Sequence, residues 1–394
     1  MRLTKPSFRV VALSTVVTGL VACAAVQMTP TWEAWSSSSN PATSYETLQE
    51  LIYDPAGAVI SAGHASLIGS GQDTLVVMKN TANGAPIWRT VVDLGEGTYN
   101  RPWASALGTD GSIYLVTETT LIKFTSNGTE SWRRNISTLI NGDAALRDVE
   151  ISGNRLYVAG RDLYVFDLNG ALTNTVAQIA PLWDVAITTN GIYAAGTGQV
   201  HRYTTNLAPV WKYALPVVQN PPADMAIAND GTVYVATFNS TPQDSAYLTR
   251  ISSNGTQVWS KFFADPDANS YQLSGIPNVE LLPDGNVVFG VSQQPTRIIN
   301  IINASNGSVK TSNKQSTGLI DEMVVDSKGG IYVVGSNKPQ KFDNTATLLA
   351  TGTMPSTADI SSGGLAVTAS SIYVGAGVFK NNDMKMYVSR YANQ

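Results

Sequence analysis

The sequence predicts an all-β fold, a β-propeller of eight four-stranded blades closed by an N-terminal strand. Three observations carry this: a strand motif recurring at blade-sized intervals, Asn-Gly or Asp-Gly turns between apolar runs, and two chain ends that complement each other. The motif reads Asp110-Gly-Ser-Ile-Tyr114, Gly153-Asn-Arg-Leu-Tyr157, Asn190-Gly-Ile-Tyr193, Asp230-Gly-Thr-Val-Tyr234, Asp284-Gly-Asn-Val-Val288, Gly330-Ile-Tyr332 and Ser371-Ile-Tyr373. A weaker first copy is Gly57-Ala-Val-Ile60. Counting it makes eight blades; leaving it out gives seven, the alternative.

Within a unit the elements follow in a fixed order. The motif strand is followed by a second apolar run and a second turn, as in Leu121–Phe124 before Asn127-Gly128 and Tyr164–Phe166 before Asn169-Gly170. Asn-Gly suits a tight hairpin because both residues tolerate positive φ. A further run carries a tryptophan: Trp88, Trp132, Trp211 and Trp259. These tryptophans and the repeat tyrosines are expected to pack between blades. The last unit stops at Gln394 before such a run, and the missing run stands at the other end: Thr29-Pro30-Thr31-Trp32 reads like Ala85-Pro86-Ile87-Trp88. Joining the two ends leaves no open sheet edge. The polar stretch 36–44 then crosses to the first blade.

The N-terminus reads as an address. Arg2, Lys5 and Arg9 precede an uncharged run from Val10 to Ala22, too short to cross a bilayer and suited to a secretory signal. It ends in Leu20-Val21-Ala22-Cys23, which resembles a bacterial lipobox and marks Cys23 for lipidation. Ala22-Cys23-Ala24 also fits ordinary signal cleavage and a soluble secreted product. The expected organisation is a signal over 1–22, a tether and closing strand over 23–44, and a propeller over 45–394. The expected location is the cell envelope, lipid-anchored at the outer membrane on its periplasmic or surface side.

Composition removes many functions. The net charge of −4 offers no basic field for nucleic acid. His64, His201 and the single Cys23 leave no disulfide, no cysteine-rich zinc site and almost no imidazole for acid–base work. No G-x-S-x-G, P-loop or HExxH motif is present.

One pattern remains. Counting back nine or ten residues from each repeat tyrosine reaches Glu50, Ala104, Asp148, Asp184, Asp224, Asn278, Glu322 and Gly363. Its five carboxylates, Glu50, Asp148, Asp184, Asp224 and Glu322, are a candidate ring at one channel mouth for a cation, with Ca²⁺ as the candidate ion, or for a basic peptide. The reading set against this, and the one preferred, is that each accepts backbone N–H bonds in the turn between blades. Trp103 and Trp183, at or beside the row, are candidate recognition aromatics.

The stretch Asp244–Trp259, and Asp73 through Asn83-Gly84 to Trp88, resemble the bacterial quinoprotein-type (PQQ-like) and SBBP-like propeller repeats over roughly residues 45–394. With a lipoprotein signal, this is also the plan of the BamB family of outer-membrane assembly lipoproteins. A quinoprotein dehydrogenase of this kind would imply a quinone, a metal and often an adjacent cysteine pair; that pair is missing, so no cofactor is expected. The reading is a non-catalytic binding or scaffold protein for an envelope protein, peptide or glycan. The alternative is a carbohydrate- or lactone-active enzyme using carboxylates such as Asp184 and Glu322.

Overall fold

The computed structural model describes residues 25–36, 44–67, 73–95, 100–178, 180–215, 224–239, 245–263, 277–293, 296–315, 318–335, 338–355, 360–380 and 383–393. The signal segment and Cys23 lie outside the described residues.

Eight antiparallel meanders make eight blades, not seven. The weak first copy is a full blade: Ser44–Asp54, Ala58–Leu67, Asp73–Thr81 and Pro86–Val92. The first strands of the other seven are Ala104–Leu107, Asp148–Ser152, Leu182–Thr188, Asp224–Ile227, Asn278–Leu281, Glu322–Val325 and Ile360–Val367. Each first strand contacts the first strands of both neighbouring blades, and the last contacts the first, so these eight surround the axis. We call the face where they begin the upper face. Strand two of each blade then runs up, strand three down and the outer strand up again.

Closure is as expected. Trp32–Trp35 (β2) pairs antiparallel with Asp383–Ala392 and serves as the outer strand of blade eight, with Trp32 opposite Arg390. The chain also supplies a strand that the sequence reading did not anticipate. Val26–Met28 (β1) lies parallel to Leu348–Gly352, the outer strand of blade seven, with Val26 opposite Ala350. It covers an otherwise open edge.

The core is divided into layers between blades rather than pooled at one centre. Val77, Ile113, Leu115 and Ile122 fill the first layer, and Tyr114, Val158 and Tyr164 fill the next. The tryptophans span these layers. Trp88 Nε1 donates to Ser126 O (3.0 Å), Trp132 to Leu168 O (3.2 Å), Trp211 to Ser253 O (3.0 Å) and Trp259 to Ala304 O (2.9 Å). Each acceptor is a turn of the following blade. Trp32 Nε1 makes the same bond to Ala82 O of blade one (2.7 Å), so the ring closes with the contact that joins its other blades. The turn glycine is needed for two reasons. Gly128 has φ +84, and a Cβ there would lie 2.5 Å from the Trp88 ring.

One insertion interrupts the repeat. After the outer strand of blade two, Ile136–Ile140 forms a short helix, capped by Asn135 accepting from Thr138 N and ended by Asn141 at φ 53.

Candidate functional site

The acidic row stands at the inner strands, where each blade leaves an unpaired backbone edge facing the axis. A buried N–H there needs an acceptor. The row provides it: Asp148 Oδ2 accepts from Val185 N (2.9 Å), Asp184 Oδ2 from Met225 N (2.9 Å), Asp224 Oδ2 from Val279 N (2.7 Å) and Glu322 Oε2 from Leu365 N (2.8 Å). Every donor belongs to the next blade's inner strand. Glu50 Oε2 accepts from Ser105 Oγ in blade two (2.9 Å). All five carboxylates are buried. They are latches between successive blades: four accept a backbone N–H, and Glu50 accepts a hydroxyl. The bonds run between inner strands rather than within turns. Blade eight contributes Gly364 to the row in place of Gly363, because Gly364 stands opposite Gly375, two positions after Tyr373, as Glu322 stands opposite Val334, two positions after Tyr332. Among the described residues no three His, Cys, Asp or Glu side chains converge as metal ligands.

Burial pushes the Glu50 and Glu322 carboxyls well above the ordinary carboxylate range, and for Glu322 the charge of Glu50 adds to this. Asp184 and Glu322 are each committed to a neighbouring strand, so nothing in their placement sets them up as an acid–base pair. The histidines are also structural. Burial lowers both His64 and His201 to about 4, keeping them neutral. His64 Nδ1 hydrogen-bonds Thr47 Oγ1 (2.8 Å), and His201 stacks on Tyr203.

One residue before the row, the upper channel mouth is built differently. Trp103, Arg147 and Trp183 occupy this position in blades two, three and four. The Arg147 guanidinium carbon lies 4.4 Å from the Trp103 ring centroid and 5.0 Å from that of Trp183. One cation therefore sits between two indoles from different blades. Its Nη1 donates to Leu146 O (2.7 Å), and its Nη2 approaches Glu118 Oε1 (3.3 Å), on the turn between the two central strands of blade two. The bulge between Leu182 and Asp184 turns Trp183 out of the regular ladder. Trp183 Nε1 and Arg147 Nε have no hydrogen-bond partner among the described residues.

The two candidate aromatics are thus brought together, and what joins them is a residue that the sequence reading missed. Its signal was present: Arg147 precedes Asp148 as Trp103 precedes Ala104 and Trp183 precedes Asp184.

The lower mouth holds a cavity of about 730 Å³ among blades one to four, lined by Ile52, Ala106, Glu150 and Ile187. The buried ion pair of Lys79 with Asp54 (2.8 Å) borders it.

A solved structure shares this architecture. The crystal structure of BamB from Moraxella catarrhalis superimposes with a TM-score of 0.59 at 15% identity, covering 86% of this chain and 93% of that one. The Pan2 WD40 domain of Neurospora crassa gives a TM-score of 0.49 at 11% identity over 88% of this chain and 89% of its own. No curated protein matches the sequence. Residues 72–376, well over half of the chain, match the family described as outer membrane protein assembly factor BamB. With eight PQQ-like blades on the same plan, this chain belongs to the BamB family of propellers.

Proposed function

We propose that this chain is a lipid-anchored, non-catalytic propeller that binds a partner protein in the cell envelope through its upper mouth. The observation that carries the reading is the Trp103–Arg147–Trp183 stack. Aromatic and arginine side chains are the groups most often dominant in protein recognition, and here they are prearranged on rigid strands of three blades. The Trp103, Arg147 and Trp183 side chains are half-buried, which leaves part of the stack open to a partner. Family membership supports an envelope scaffold, and lipidation of Cys23 supports retention at a membrane. The carboxylate latches give the alternative, enzymatic reading no support.

A photo-crosslinking residue in place of Trp183, with another in place of Thr173 on an outer strand as control, tests this in cells of the source organism. A discrete adduct from Trp183, lost on Arg147→Ala and absent from the control, is the expected result. Equal adducts at both positions, or none at the mouth, would rule the upper mouth out.

A further inference from the structure

We propose that the lower outer rim of blades five to seven rests on a lipid surface with anionic headgroups, an orientation that builds on the Cys23 anchor of the preceding section. One observation selects this side of the ring, and two more show that its surface suits a membrane.

The first is where the chain arrives. β1 is fixed to the outer strand of blade seven and runs upward with it. Only two residues separate Cys23 from Val26, and three Cα–Cα steps reach at most about 11 Å. A lipid on Cys23 therefore holds this edge of blade seven against the membrane, with no length of tether to let the propeller turn.

The second is exposed apolar surface. Val26 is 62% exposed, Leu349 40%, Val309 48%, Val258 46% and Phe262 52%. They lie on β1 and on the outer strands of blades seven, six and five; Ile87 and Val91 on blade one and Val210 on blade four are comparably exposed. Val258, Val309 and Leu349 all stand at the lower start of their strands.

The third is charge. The chain as a whole has 29 acidic against 25 basic side chains. Yet Val26–Met28, Gln257–Phe263, Val309–Gln315 and Leu348–Gly352 contain no Asp or Glu, while Lys261 and Lys310 stand exposed among them. The outer strands of blades two and eight carry Glu130 and Glu33, and those of blades one, three and four also lack carboxylates, so the charge pattern permits this contact and the attachment of β1 selects its side. Aliphatic side chains interleaved with lysine and free of carboxylates suit the boundary between anionic headgroups and acyl chains. The propeller then leans on blades five to seven. The Trp103–Arg147–Trp183 mouth, on the opposite face and on the other side of the ring, is directed away from the bilayer.

The lipidated chain has no other cysteine, so a single introduced thiol can take a nitroxide label. The full lipidated protein is reconstituted in vesicles of phosphatidylethanolamine and phosphatidylglycerol, with labels on Val258→Cys or Val309→Cys. Ser131→Cys and Thr173→Cys, exposed near the start of the outer strands of blades two and three, are the controls. The ratio of oxygen to nickel-chelate accessibility should rise severalfold at the two rim positions and stay at its aqueous value at the controls. Equal ratios at all four positions in membrane-bound protein overturn the orientation while leaving the anchor intact. Failure of the wild-type chain to incorporate a fatty-acid label that depends on Cys23 overturns the anchor and this proposal together.

Discussion

A carboxylate that accepts an N–H from the neighbouring blade contributes through its acceptor oxygen, and its negative charge is incidental. Glu322 shows how the two separate. Glu322→Ala leaves the buried Leu365 N–H without its acceptor and should cost about 1–3 kcal/mol in urea unfolding. Glu322→Gln keeps an acceptor oxygen and removes the acid. Because burial raises the folded carboxyl's pKa above its unfolded value, ionisation as pH rises opposes folding. The Gln variant should therefore be more stable than wild type at pH 8, with a flatter approach to it. The histidines act in the other direction. Both are lowered to about 4 by burial, against about 6.5 unfolded. Their contribution is present above about 6.5 and lost as pH falls toward 4. The thermal midpoint of wild type should drop across that window, and less so in His64→Gln. The row itself was legible in the sequence because it stays nine or ten residues from the repeat tyrosine. The role of its members was not, because each hydrogen-bond partner lies 37–55 residues further along the chain.

At the scale of elements, what was legible is what local chemistry determines. Asn-Gly turns, β-branched runs and the tryptophan strand identified the blades, and Trp32 identified the closing strand by its likeness to Trp88. β1 escaped because three residues, Val26–Met28, carry neither alternation nor a turn signal, and their pairing is with a strand more than three hundred positions away. The helix Ile136–Ile140 escaped for a similar reason, being shorter than any sustained helical period. The turn glycines can be tested directly. Gly128→Ala forces a side chain into positive φ and against the Trp88 ring, and should destabilise by more than about 1 kcal/mol. Trp32→Ala and Trp88→Ala remove chemically equivalent contacts, a turn acceptor and a neighbouring glycine. The first should nevertheless lower the thermal midpoint more, because it also loosens the strand that joins the two ends of the chain.

At the scale of the whole molecule, blade eight takes three strands from the C-terminal end and one from the N-terminal end. Trp32 lies opposite Arg390 and Trp35 opposite Tyr387, so the closing contacts form only when the strand Asp383–Ala392 is in place. Such distant pairing is slow to form. A product ending a dozen residues early has lost the strand Asp383–Ala392, and with it the partner of β2 and the neighbour of Ser371–Lys380. Two unsatisfied edges then face solvent on either side of the gap, the form most exposed to aggregation and degradation. Closure of the ring is thereby a test of two distant segments at once: it needs both Trp32–Trp35 and Asp383–Ala392, and a chain lacking either stays open.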